Sequence, residues 1–317
     1  MDADLELEAE SFDSQIEERI RNGHIPDLRY TKRCEYFYNN VWRHPDLVKL
    51  HFGEIFTKIN DAIKRFVDKP VPQILEVGCG PGFICLELAR NGYDVTGIDL
   101  SPQCIRVARE FSEKDPDRLS RGELKYIDGD FFSTGQLNGK FDAIVFLGAL
   151  HHFPDQVQTL KRANELLDQA GAIIVDEPSQ DRVDKRNAAI YQFTKTLLSL
   201  TNGFYEKVSA YSSTEKIEED VQKAFHRMRY EEASGEKLQS FNDNAAGFKE
   251  MYPALTSTFQ QLDYQERYAF YHDLIGGLRF SDEMNKQIAN TIKLFDKYLC
   301  ETGVIQSTEF LFVGRKK

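Results

Sequence analysis

The chain has 317 residues, 41% of them hydrophobic, and its 51 acidic and 40 basic side chains give a formal charge of −11 at neutral pH. That length and apolar content suit a nucleotide-binding domain carrying insertions, while the acidic balance argues against nucleic acid, whose phosphates reward a basic face. No apolar run approaches the roughly 20 residues that cross a bilayer, and the acidic start (Asp2, Asp4, Glu6, Glu8, Glu10) is the opposite of a secretory signal, so a soluble, cytoplasmic protein without a membrane partner is expected.

In chain order, residues 1–71 read as an N-terminal helical cap. Phe12, Ile16 and Ile20 recur every four residues behind an acidic tip read as mobile. Val48, Phe52, Ile55, Ile59, Ile63 and Phe66 make a stronger helical stripe, ended by Pro70 and Pro72. Between the two lies an aromatic cluster of Tyr30, Tyr36, Phe37, Tyr38 and Trp42, interleaved with Arg29, Arg33 and Arg43. Core packing between helices and capping of a ligand crevice are both open for this cluster; Tyr38 and Trp42 are its candidates for a substrate pocket.

Residues 74–77 form an apolar run containing Glu76, followed by glycines at 78, 80 and 82 and a helical pattern from Phe83. A buried strand, a tight turn and a helix start let backbone approach a nucleotide-like ligand closely. The third glycine of the dinucleotide fingerprint would fall at Phe83, and this departure argues against NAD or FAD. Asp94–Asp99 alternates as a second strand, its last carboxylate placed where a doubly wound sheet faces its ligand crevice. Ser101 and Pro102 open the next helix as cap and first-turn residue. Residues 123–127 make a third strand leading to Gly129, Asp130 and Phe131. Phe141–Leu147 is a fourth, leading to Gly148, His151 and His152, and residues 172–177 are a fifth, ending in Glu177. Strands alternating with helices imply an α/β fold, a doubly wound and mostly parallel sheet covered on both faces.

This ordered set of motifs resembles the class I, Rossmann-like S-adenosylmethionine (SAM)-dependent methyltransferases of small-molecule type, over residues 72–178. The resemblance implies that Glu76 orders the glycine loop and that Gly78, Cys79, Gly80 and Gly82 lie against the amino acid portion of the cofactor, the bend baring its amides to it. Cys79 is then a small side chain that fits the loop, not a nucleophile. Asp99 would hold the ribose and Leu100 touch the adenine. Asp130 would accept from the adenine amino group with Phe131 flanking the ring, and Leu147 and Gly148 would border the methionine moiety. The implied cofactor is SAM, with S-adenosylhomocysteine (SAH) as product, and the implied activity is methyl transfer to a small-molecule acceptor.

Residues 179–280 are an insertion relative to the minimal topology of that family. Ile190, Phe193, Leu197 and Leu198 mark one helix, Ser212 with Glu215 a capping box for another, and Phe259, Leu262 and residues 268–271 further helical packing. Its place after strand five suits a substrate lid or a homodimer interface. Arg182, Lys185, Arg186, Arg227, Arg229 and Arg279 would mark an anionic acceptor if they converged on the pocket. Residues 281–317 read as a closing helix, with Ile288, Ile292, Phe295 and Leu299 on one face, and an antiparallel edge strand.

His151, His152 and Glu177 stand at the ends of strands four and five as candidates to take an acceptor proton. Adjacent histidines on a helix point about 100° apart. The five scattered cysteines have no C-x-x-C spacing, so neither a metal site nor a disulfide framework is expected. The alternative reading is a SAM- or SAH-binding partner subunit without catalysis; a nicotinamide-dependent oxidoreductase is a further one.

Overall fold

Apolar alternation along residues 73–178 produces strands whose two faces are both buried. The computed structural model describes residues 3–117, 122–137, 139–232, 234, 240 and 242–317. Strands β1 (Gln73–Val77), β2 (Asp94–Asp99), β3 (Leu124–Asp128), β4 (Phe141–Leu147) and β5 (Leu167–Pro178) run parallel. With β6 (Phe259–Glu266) and β7 (Glu309–Lys316) they form one sheet in the order β3-β2-β1-β4-β5-β7-β6. The helices are α1 (Ala3–Arg21), α2 (Pro45–Phe66), α3 (Phe83–Arg90), α4 (Pro102–Glu113), α5 (Gln156–Leu166), α6 (Lys185–Leu200), α7 (Thr214–Met228), α8 (Phe248–Thr258), α9 (Tyr271–Ile275) and α10 (Asp282–Glu301). None is long and apolar enough to cross a membrane.

Side chains alternate across the sheet as strand geometry requires. Leu75, Val77, Ile144, Phe146, Ile173 and Val175 share one core with Leu160 of α5 and Met251 and Leu255 of α8. Ile74, Ala143, Val145, Ala172 and Ile174 share another with Ile55, Ile59 and Ile63 of α2, Ile84 and Leu88 of α3 and Ile105 of α4. Each of these side chains larger than alanine contributes roughly 1.5–3 kcal/mol by leaving water. A third core joins segments far apart in sequence: Trp42 and Leu47, Tyr191 and Val221, and Ala289 and Ile292. Residues 1–71, 179–280 and 281–317 therefore share buried surface.

Four sequence expectations change. The closing strand β7 is not the edge, for it lies between β5 and β6 and is antiparallel to both; β6 takes the edge instead. Residues 259–266, expected as helix, are that edge strand. A register shift between Gln261 and Asp263 stretches the apolar spacing from Phe259 to Leu262, hiding the period of two. Helix α7 is capped by Ser213, which accepts from the Lys216 amide, so the capping box read at Ser212 and Glu215 does not form. On α10, Phe295 is 61% exposed, because the inward face runs through Asn285, Ala289, Ile292 and Asp296.

Asp296 on that face is fully buried, and its carboxylate accepts from the amides of Ala269, Phe270 and Tyr271, pinning the chain after β6 to α10. Removing it strands three buried donors. Asp296→Ala is expected to lower the unfolding free energy by about 3 kcal/mol in urea titrations; an unmoved midpoint would reject this clamp.

Candidate functional site

The carboxyl ends of β1, β2, β3 and β4 surround a cavity of about 450 Å³, roofed by α1. The glycine bend follows β1, and Gly78, Gly80 and Gly82 all have positive φ, at 71°, 51° and 77°. A Cβ on Gly78 would lie 2.6 Å from that of Ala149, and one on Gly82 would meet the Tyr126 ring. A Cβ on Gly80 would touch no protein atom within 4 Å, and Gly80 lines the cavity. Two of these glycines thus allow close packing, while Gly80 leaves room at the cavity wall.

The amides of the bend are not bared to a ligand. Those of Gly78 and Cys79 bond the Ile98 carbonyl, at 2.9 and 3.1 Å, and that of Gly80 bonds Asp99 Oδ2 at 2.7 Å. The glycines act through shape and not through free donors. Asp99 also accepts from the Ser101 amide at 2.9 Å. It therefore ties the bend to the start of α4, and each carboxylate oxygen keeps a second acceptor site for a hydroxyl. Burial pushes its carboxyl above the usual value, against the pull of these two amides.

Leu100, Asp130, Phe131 and Gly148 also line the cavity. Asp130 accepts from the amides of Phe132 and Ser133, shaping its own turn. Phe131 packs edge-on against Phe146 and Phe153. Other residues of the expected cofactor set lie behind the wall. Leu147 packs into the core beside α2 and α3. Cys79 is buried, with its thiol pushed up to about 11 by that burial, so it stays protonated near neutrality. Glu76 is buried as well; the Cys85 thiol donates to its Oε2 at 2.8 Å, linking β1 to the first turn of α3.

The three proton-acceptor candidates separate. Glu177 is buried outside the cavity, where it accepts from the amides of Ala149 and Leu150, at 2.9 and 2.7 Å, and meets His151 Nδ1 at 2.7 Å. Both Glu177 and His151 thus belong to the scaffold of the loop after β4. His152 alone of the three lines the cavity, with Nδ1 2.9 Å from Glu8 Oε1 on α1. The two histidines do not diverge as on an α-helix: a 3₁₀ turn over Leu150–His152 brings their ring centroids to 4.2 Å. With Asp243 they form the group among the described residues whose donor atoms, within 4.8 Å of one another, have metal-ligand chemistry.

Neither substrate-pocket candidate reaches the cavity. Trp42 packs against His24, Phe52 and Phe83, supporting the start of α3 from behind. Tyr38 is exposed and rests on Tyr205. The arginines and lysine of the insertion do not converge there either. Arg182 pairs with Glu266, Lys185 with Glu218, Arg186 with Asp184, Arg227 with Glu206 and Arg229 with Glu231. Arg279 bonds the Tyr38 carbonyl. Among the described residues, the insertion supplies Asn242 to the cavity lining. The roof is α1, through Asp4, Leu5, Glu8, Phe12, Gln15, Ile16 and Arg19. From Ala3 on, the start expected as a mobile tip is helix, and the apolar spacing of Leu5, Phe12 and Ile16 is the signal that it folds inward.

A methyltransferase-domain family matches residues 51–245 of the chain. A ubiquinone biosynthesis O-methyltransferase of Xanthomonas campestris pv. campestris is 30% identical over 115 residues, 36% of this chain and 46% of that one. The mitochondrial ubiquinone biosynthesis O-methyltransferase of Saccharomyces cerevisiae is 27% identical over 236 residues, 72% of this chain and 62% of that one. The chain thus spans about half the length of the first of these relatives, at 46%. A solved structure from Galdieria sulphuraria, assigned as a sarcosine dimethylglycine methyltransferase, superposes with a TM-score of 0.51 at 13% identity, covering 96% of this chain and 98% of that one. It shares the fold.

Burial pushes the Glu76 carboxyl up to about 8 from its usual 4.5. The folded state therefore holds this proton more tightly than the unfolded one. The resulting contribution to stability is fully present below about 4.5 and is lost as pH rises through about 8. Calorimetric unfolding of Glu76→Gln should show a smaller fall in Tm across that window than the unsubstituted chain; equal falls would place the carboxyl in a solvated setting.

Proposed function

Because the chain belongs to the methyltransferase-domain family, we propose that it transfers a methyl group from SAM to a small-molecule acceptor in the cavity beneath α1, with His152 taking the acceptor's proton. SAM is the donor of this family, and the residues present fit it. Asp99 offers acceptor sites for the ribose, Asp130 and Phe131 flank the place for the adenine, and Gly80 leaves its side of the wall clear. When bound, the sulfonium group supplies an already activated methyl. The chain's own task is then to align the acceptor and exclude water, which can supply roughly 7–11 kcal/mol of barrier reduction in favourable cases.

One observation carries the reading: a single cavity gathers the glycine bend, Asp99, Asp130 and the imidazole of His152. The two O-methyltransferase relatives support an oxygen acceptor, for which a base is needed. The glycine spacing and the family together remove the nicotinamide reading.

Isothermal titration should show binding of SAH and none of NAD. Gly80→Ala should fold with a loss of roughly 1–2 kcal/mol for its left-handed backbone and bind SAH at least about tenfold more weakly; unchanged affinity would refute the placement of the cofactor. In an assay of labelled methyl transfer from SAM into a small-molecule metabolite extract, His152→Ala should lose roughly 10²-fold in rate while SAH affinity holds. Tight SAH binding without any transfer would select the non-catalytic partner subunit instead.

A further inference from the structure

Methyl transfer with His152 as base leaves one feature unexplained: a buried carboxylate from the second turn of α1 reaches that base. Glu8 is 2% exposed. Its Oε1 accepts from Ser240 Oγ at 2.8 Å and stands 2.9 Å from His152 Nδ1, while its Oε2 accepts from the Asn242 amide at 2.8 Å. Burial alone would raise its carboxyl pKa, but the hydrogen bonds from His152, Asn242 and Ser240 outweigh it and hold the group below its usual value. Glu8 is therefore ionised near neutrality.

An ionised carboxylate accepts and cannot donate. With Oε1 only 2.9 Å from Nδ1, the charge of the carboxylate favours the proton on that nitrogen. Ser240 fixes that assignment: its hydroxyl proton goes to Glu8 Oε1, so its oxygen, 3.4 Å from Nδ1, can only accept from the ring. In the neutral ring Nε2 is left bare. This is the division of labour by which a buried carboxylate sets the tautomer of a catalytic histidine and stabilises the imidazolium that forms.

We propose that Glu8 is the positioning residue for His152, that seating α1 completes the base, and that the acceptor of this site is a hydroxyl compound. This rests on the methyltransferase reading and deepens it. Nε2 takes the hydroxyl proton as the acceptor oxygen's electron pair forms the bond to the methyl carbon, and the departing sulfur keeps the pair of the bond that breaks. Glu8 then faces an imidazolium. An amine arriving unprotonated would need no such device.

Helix α1 is seated by contacts independent of Glu8. Asp13 Oδ1 accepts from Ser101 Oγ at 2.5 Å and from the Gln103 amide at 3.1 Å. Ile16 packs against Cys104 and Val107 of α4, and the Phe12 ring stands edge-on to that of His152 at 5.4 Å. Because α1 lines the cavity from Asp4 to Arg19, the same docking that closes the wall brings the carboxylate to the imidazole.

The test is long-range proton–nitrogen NMR on protein labelled with ¹⁵N-histidine and loaded with SAH, at a pH where the ring is neutral. His152 is assigned by the signals missing in His152→Ala. The unsubstituted chain should show His152 with a protonated Nδ1 and a bare Nε2. Glu8→Ala and Glu8→Leu should lose that pattern in favour of the Nε2-protonated form, with SAH affinity within about threefold. An Nε2-protonated His152 in the unsubstituted chain, or an unaltered pattern in the variants, overturns the proposal. So does a loss of SAH binding of about tenfold or more in both variants, which would make Glu8 a part of the wall alone. If the unsubstituted chain itself fails to bind SAH, the cofactor reading falls, and the tautomer is then read in the unliganded protein.

Discussion

The candidate site depends on one buried carboxylate, Glu177 at the end of β5. It draws the amides of Ala149 and Leu150 and the ring of His151 onto itself. Those bonds fix the path of the chain leaving β4. Ala149 is thereby held against Gly78, so closely that no side chain fits at that position of the bend, and His152 is turned to the cavity. A carboxylate that looks catalytic from its position in the chain is thus structural. These donors, which occupy both its oxygens, leave it no part in taking a proton from an acceptor.

The neighbouring residue shows why strand geometry allows this. Successive side chains on a strand leave opposite faces, so Asp176 points away from Glu177. It pairs with the buried Arg267, which also approaches Glu309 on β7. Burial pushes the Asp176 carboxyl up to about 7, with Arg267 opposing that shift. His272 Nδ1 stands 2.9 Å from Glu309 Oε1. One acid therefore organises the ligand-facing loop, and the other fastens the chain after β6 to the antiparallel pair that completes the sheet. Removing either group would leave its partners buried and unpaired, a cost of several kcal/mol.

The amino-terminal helix changes how the charge of the chain is understood. Acidic residues near the start look like a solvated tip, and most of those on α1 are exposed. Glu8 and Asp13 are the exceptions that matter, because Glu8 meets the Asn242 amide and Asp13 the first turn of α4. Helix α1 is anchored on α4 at one point and on the loop after β4 at another. Of the aromatic cluster that follows it in sequence, Tyr36, Phe37 and Trp42 go into or against a core shared with the insertion and α10, while Tyr30 and Tyr38 stay exposed. The capping role belonged to the helix before it.

The sequence by itself determined the parallel strands, the glycine bend, the carboxylate after β2 and the turn after β3. These features are local: apolar runs of strand length, glycines at alternate positions and a capping serine each specify backbone over a few residues. The position of Asp99 follows from them, because a doubly wound sheet opens its crevice at the carboxyl ends of its strands. Only the tertiary structure decided which polar groups face that crevice. Glu8 meets His152, Glu177 meets the loop after β4, and Tyr38 and Trp42 turn elsewhere, through contacts between residues remote along the chain. No local pattern encodes such pairings, since they arise from how elements dock, and docking is set by the sum of the packed faces. The bulged strand β6 failed to declare itself for a related reason: one extra residue disguised its period, and its identity came from pairing with β7.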